Sequence, residues 1–273
     1  MKKVIVVFDG HHFSEGAFAF VRRLNEKAPI VVTGVFLPVV DYAELLYSLG
    51  GLSGPIYYTD IAYEDTGIVL ENIRRFKSEC EKYGIKYHLH PDLDRHVISE
   101  VKDESRFADL LVLSSELFYE NLGKDTQEDY IENALHKAEC PVVLVPEHYH
   151  FPNNVILAYD GSESSVFAIK QFAYLLPELT SLKTVLVSAT TTNKPVPEEG
   201  YIKELTACHF KDISISKLEL EQKKFFNTWL ADNGHSILVT GAYGRTMLSE
   251  FFKKSFITEV IQDHKLPIFI AHK

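Results

Sequence analysis

Cysteine is scarce in this chain: three residues, Cys80, Cys140 and Cys208, among 273. An odd number without metal-ligand spacing excludes a disulfide framework and a zinc knuckle, and fits idle thiols in a reducing compartment. Positive charge is also short. Lys and Arg total 28 against 38 Asp and Glu, for a net charge of −10, so non-specific nucleic-acid binding is not expected. No apolar run approaches the length that crosses a bilayer, and no membrane partner is expected. At the N-terminus two lysines precede an apolar run that Asp9 ends, too short for a signal-peptide core. The expected location is the cytoplasm. No G-x-S-x-G elbow accompanies Ser162 and Ser164, so nucleophilic catalysis is not expected there.

What is present is a regular alternation of apolar runs and amphipathic segments. Hydrophobic residues make up 46% and charged residues 24%, a globular composition, and the length suits one large domain or two ordinary ones. Residues 3–8 read as a strand ending in Asp9-Gly10. Residues 14–27 follow as a helix with Ser14 as N-cap, because Phe18, Val21 and Leu24 recur at helical spacing. Residues 30–37, 85–90, 109–113 and 141–145 read as four more strands. Helices are expected over 64–83, closed by Gly84, and over 95–107 and 125–138. Residues 38–60, with Gly50, Gly51, Gly54 and Pro55, read as an irregular loop or a short helix with a mobile tip.

The pattern then starts again. V-I-V-V-F-D-G at 4–10 recurs as V-I-L-A-Y-D-G at 155–161. D-L-L-V-L-S at 109–114 recurs as S-I-L-V-T-G at 236–241, and C-P-V-V-L-V-P at 140–146 as L-P-I-F-I-A-H at 266–272. Within the second copy, strands are expected at 154–158, 183–189, 212–217, 237–240 and 267–271, and helices at 164–176, 201–208, 219–232 and from Ser255. Internal duplication at this period means tandem domains, here 1–148 and 152–273. Each is expected to be an α/β, doubly wound domain with a five-stranded parallel sheet and helices on both faces.

Ligands of such sheets sit at the carboxyl ends of strands one and four, where the winding reverses. In the second copy those strands end in Asp160 and in Gly241 and Gly244. Glycines there let backbone N–H groups approach a ligand, and Ser255, read as the N-cap of the last helix, would present an anion-attracting terminus. Strand four, Gly241, Gly244 and Ser255 together resemble the universal stress protein family, whose loop after strand four has the form G-x2-G-x9-G-[S/T]. Lys254 stands where the third glycine is expected. The likeness covers essentially the whole chain, as a tandem of two such domains.

The resemblance implies the strand order 3-2-1-4-5 and an adenine nucleotide (ATP, ADP or AMP, with Mg2+) in the second domain. By position it assigns Asp160 and Ala189 to the adenine, and Gly241, Gly244, Arg245, Ser255 and Phe256 to ribose and phosphates. Lys254 and Arg245 add two cations beside the phosphates. No catalytic residues and no protein metal ligands are assigned: no residue set supplies a base, a water-positioning group and a magnesium ligand together, so at most slow ATP hydrolysis is expected. The fused domains imply an internal pseudo-dimer with the two fifth strands near its twofold, and further pairing into a homodimer. The alternative is a nucleotide-free interaction protein whose pseudo-dimer surface is the working part.

The first domain reads as a degenerate copy. Ser114 and Leu117 occupy its glycine positions, and Glu116, Glu120, Asp125, Glu128 and Asp129 crowd the same loop, where carboxylates complement a helix start and repel phosphate. His11 and His12, His88 and His90, and His148 and His150 lie close in sequence without an identifiable third metal ligand. Asp92, Asp94 and His96 read as loop residues, and Phe225, Phe226 and Trp229 as the core face of a helix.

Overall fold

The structure, a computed structural model, describes residues 1–9, 12–37, 63–89, 104–115, 138–190, 195–219, 235–241 and 266–271. They fall into two compact units, Met1–Cys140 and Pro141–Lys273.

In the first unit the strands are β1 (Lys2–Asp9), β2 (Ile30–Leu37), β3 (Lys86–Leu89) and β4 (Leu110–Ser114). All pair in parallel, in the order β3-β2-β1-β4. Helix α1 (Glu15–Lys27) follows β1. Its N-cap is Ser14, whose hydroxyl accepts from the Ala17 amide at 3.1 Å. Helix α2 (Tyr63–Lys82) ends where Gly84 adopts φ +63, a conformation that costs glycine nothing. The core is aromatic: the Phe8 ring stacks on Phe36 at 5.0 Å and meets Phe76 edge-on at 5.7 Å. Gly34 makes room for this cluster, since a Cβ there would lie 2.9 Å from the Phe76 ring.

In the second unit the strands are β5 (Val142–Val145), β6 (Asn154–Tyr159), β7 (Lys183–Thr190), β8 (Asp212–Glu219), β9 (Ser236–Gly241) and β10 (Ile268–Ala271). The order β8-β7-β6-β9-β10 is parallel throughout. It is the expected 3-2-1-4-5. Its central strands β6, β9 and β10 are buried apolar runs, as strands covered on both faces must be, whereas β8 at the edge alternates apolar and polar residues. Helices α3 (Glu163–Leu175) and α4 (Glu199–His209) join strands one to two and two to three of this copy. Phe172 of α3 is fully buried against Phe269 of β10, 5.4 Å away and edge-on.

The strand at 142–145, expected as the fifth of the first copy, pairs antiparallel with β10, the fifth of the second. Without it β10 would end the sheet as an apolar edge with open hydrogen-bonding groups. One difference from expectation has a physical cause: Glu219 is the last residue of β8, not the first of a helix. The eight residues D-I-S-I-S-K-L-E pair with β7 to their end. A turn of 3-10 helix at Pro177–Leu179 was not expected from the sequence. The helices expected at 125–138 and 220–232, the one from Ser255, and all but the end of the one at 95–107 lie outside the described residues. So does the loop at 38–60.

Candidate functional site

Winding reverses in the second unit between β6 and β9, and the register brings their carboxyl ends level. Leu157 pairs with Val239, so two residues on, Tyr159 lies level with Gly241. On the other side Tyr159 pairs with Ser188, which puts Ala189 level with Asp160. Asp160, Ala189 and Gly241, separated widely in sequence, thus share one edge of the sheet.

Asp160 shapes the chain that leaves this edge. Its carboxylate accepts from the Ser162 amide at 2.8 Å, and Gly161 turns with φ +78. Ser162 then caps α3, accepting from the Ser165 amide at 3.2 Å, with Glu163 in the first turn. The pair Ser162 and Ser164 has a structural account here: the first is the cap. Gly241 also packs closely on the start of α3. A Cβ on it would lie 2.5 Å from the Ser164 carbonyl carbon and 2.7 Å from the Ser165 nitrogen. The glycine therefore lets β9 end against the first turn of α3, as glycine does for close helix–strand packing.

Four neighbours of this edge escaped the sequence reading. The Tyr159 hydroxyl, on a fully buried ring, donates to the Pro197 carbonyl at 2.9 Å. Burial pushes that hydroxyl above the usual tyrosine range, and the nearby Glu198 and Asp160 carboxylates push the same way. A Cβ on Gly161 would lie 2.6 Å from the Pro197 side chain, so the β7–α4 connection rests directly on the end of β6. Glu198, at φ +46, starts α4 without a side-chain cap, a left-handed backbone costing about 1–2 kcal/mol outside glycine. Nothing local ties Tyr159 to a proline 38 residues on; the only signal was the Pro195 and Pro197 pair in a short loop.

Ser188 adds an open polar group. It is buried one residue before Ala189, and its Oγ has no hydrogen-bond partner among the described residues. A buried hydroxyl left so is costly unless something accepts or donates to it. The remaining site residues expected from the sequence, Gly244, Arg245, Lys254, Ser255 and Phe256, lie outside the described residues.

The corresponding stretch of the first unit differs in sequence and packing. Between Asp9-Gly10 and the cap Ser14 stand His11, His12 and Phe13, whereas Ser162 follows Asp160-Gly161 directly. The inserted Phe13 stacks on Phe8 at 4.8 Å, and the Arg75 guanidinium lies over its ring at 4.5 Å while pairing with Glu15. Ser114 and Ser115 are buried at the end of β4.

Other candidates disperse. His12 and His88 are exposed, and His11, His90, Asp92, Asp94 and His96 lie outside the described residues, as do Phe225, Phe226 and Trp229. His150 stacks on His235 with ring centroids 4.3 Å apart and planes 15° apart. Stacked imidazoles hold their in-plane lone pairs parallel, not converging on one ion. Among the described residues no group of three or more His, Cys, Asp or Glu could hold a metal, and no helix is long and apolar enough to cross a membrane.

No family model matches the chain, and no curated protein matches it in sequence. Solved structures match over its full length. A universal stress protein from Archaeoglobus fulgidus is similar with a TM-score of 0.71 at 14% identity, covering 100% of this chain and 96% of its own. The cytoplasmic domain of a prokaryotic cation chloride cotransporter is similar at 0.55 and 10% identity, over 99% of this chain and 95% of its own. A protein of unknown function from Pseudomonas aeruginosa is similar at 0.53 and 12% identity, over 100% and 92%. The repeated doubly wound unit of this chain has the fold of the universal stress proteins.

Proposed function

We propose that the second unit binds an adenine nucleotide, and that the chain is a stress-response regulatory protein of universal stress type rather than an efficient enzyme. The observation that carries this reading is the meeting of Asp160, Ala189 and Gly241 at one carboxyl edge beside the start of α3. The donor set fits a purine. Asp160 supplies a carboxylate and Ala189 backbone groups at the end of β7, and Ser188, whose hydroxyl has no partner among the described residues, pairs with Tyr159, one residue before Asp160. Arg245 and Lys254, with Gly244, Ser255 and Phe256, would hold ribose and phosphates, and Mg2+ would share the phosphate charge. The first unit has a structural role in this reading: Phe13, inserted after its first strand, stacks on Phe8, and Ser114 and Leu117 stand at its glycine positions. Self-association of the chain belongs to the same reading.

A second reading, a nucleotide-free interaction protein, draws on the start of α3. Ser162 and Glu163 already complement that terminus, so it needs no bound anion.

Calorimetric titration of the full chain with Mg–ATP separates the two. Saturable heat is expected, with affinity reduced about tenfold or more when Arg245 and Lys254 are both changed to Ala, the loss expected for two charge-assisted contacts. No heat from the unaltered protein contradicts the nucleotide reading and leaves the second.

A further inference from the structure

We propose that Tyr159 is a positioning residue of this site, setting through Pro197 the wall against which the purine end of a nucleotide lies. The proposal rests on the reading that the second unit holds an adenine nucleotide. Three observations support it. The Tyr159 ring is fully buried and its hydroxyl is spent on the Pro197 carbonyl at 2.9 Å. Pro197 in turn occupies the place of a Cβ on Gly161, which only a glycine at φ +78 leaves open. Beyond Pro197 the chain passes through the left-handed Glu198 into α4, with the Ile202 amide bonding the Glu198 carbonyl at 3.1 Å. A non-glycine residue stays in that region only where its surroundings hold it.

The segment is therefore clamped on both sides of Pro197, next to Asp160 and the end of β7. Its chemistry selects what can lie against it. Val196 is buried, and the rings of Pro195 and Pro197 are apolar and rigid and their nitrogens carry no N–H donor. Such a surface suits the face of a heteroaromatic ring and offers nothing to a phosphate. β9, after which the phosphate-holding residues are expected, pairs with β6 on the side opposite β7. Tyr159 thus acts on the base and not on the phosphates.

The test is a comparison of two probes on two variants of the full chain. Tyr159→Phe removes the hydroxyl and keeps the ring; Pro197→Ala keeps the carbonyl and removes the wall. Calorimetry is run with Mg–ATP and with inorganic tripolyphosphate, and hydrogen exchange is followed at the amides of 198–202. The account expects Tyr159→Phe to weaken ATP about fivefold, the effect of one neutral hydrogen bond, to leave tripolyphosphate unchanged, and to speed exchange at 198–202. Pro197→Ala should weaken ATP without that loss of protection, and it carries the test alone if Tyr159→Phe fails to fold. Equal weakening of ATP and tripolyphosphate, or unchanged ATP affinity in both variants, overturns the proposal. If the unaltered protein binds neither probe, the nucleotide reading itself has failed. Unchanged exchange at 198–202 in Tyr159→Phe then refutes the clamp as well.

Discussion

Val143 and Phe269 face each other across the antiparallel pair of β5 and β10, and each stands two residues after a proline at the same position of the internal repeat. Flanking them, Ile268 meets Leu144 and Ile270 meets Val142. Equivalent residues meeting one another is what a twofold relation between two strands requires. Both are fully buried, and Phe269 also packs on Phe172. Phe269→Ala should therefore cost about 3–5 kcal/mol, the usual range for an aromatic ring deleted from a packed core. Guanidinium unfolding measures it, and a loss below about 1 kcal/mol contradicts this packing.

Gly241 and Gly67 give opposite expectations for the same change. Gly241→Ala forces a Cβ to 2.5 Å from backbone of α3, and no flexible side chain can yield, so a loss of about 1–3 kcal/mol is expected. Gly67 lies within α2 with nothing inside 4 Å of its added Cβ, so Gly67→Ala should stabilise by about 0.5–1 kcal/mol. Thermal melts of both variants check the pair. Equal effects would mean that β9 does not abut α3.

Much of this fold was legible in the sequence because each signal was local. Continuous apolar runs marked the buried parallel strands, and Ser14 and Gly84 marked helix ends that the structure keeps. The resemblance put the two fifth strands near one twofold; the register of β5 on β10 was not legible, because a strand's own residues do not name their partners across a sheet. The end of β8 was misplaced for a related reason: Glu219 is polar and begins a helix-forming stretch, yet pairing with β7 carries the strand through it. In the site, Asp160 and Gly241 stand at strand ends that the sequence singled out. The contact of Gly241 with α3 was not legible, because spacing alone cannot tell a glycine that admits a ligand from one that admits a helix. Tyr159 went unnoticed since its partner Pro197 is fixed only by tertiary structure.

The thiols should divide by burial. Burial pushes Cys80 and Cys140 up to about 12, with Glu79 and Glu81 reinforcing the first and Asp109 the second, while Cys208 is exposed. Because the thiolate is the nucleophile, a disulfide reagent at pH 8 should modify one thiol per native chain quickly and three after denaturation. Two fast thiols in the native protein contradict the burial.

The same groups predict an alkaline loss of stability. Their folded values lie above the ordinary thiol value of 9.0, at about 12, so between those limits the unfolded chain gives up protons that the folded chain keeps. Stability is then fully present below pH 9.0 and falls as pH rises towards about 12. Urea unfolding from pH 8 upward checks the sign. Replacing Cys80 and Cys140 by Ala should flatten the slope; an unchanged slope assigns it to other groups.

The account turns on one edge of one unit holding a nucleotide, and hydrogen exchange of the full chain with and without Mg–ATP locates it most directly. Slower exchange is predicted in the first turn of α3, at residues 162–166, with residues 14–18 at the start of α1 unchanged. Protection confined to the first unit, or no protection anywhere at saturating ATP, contradicts it.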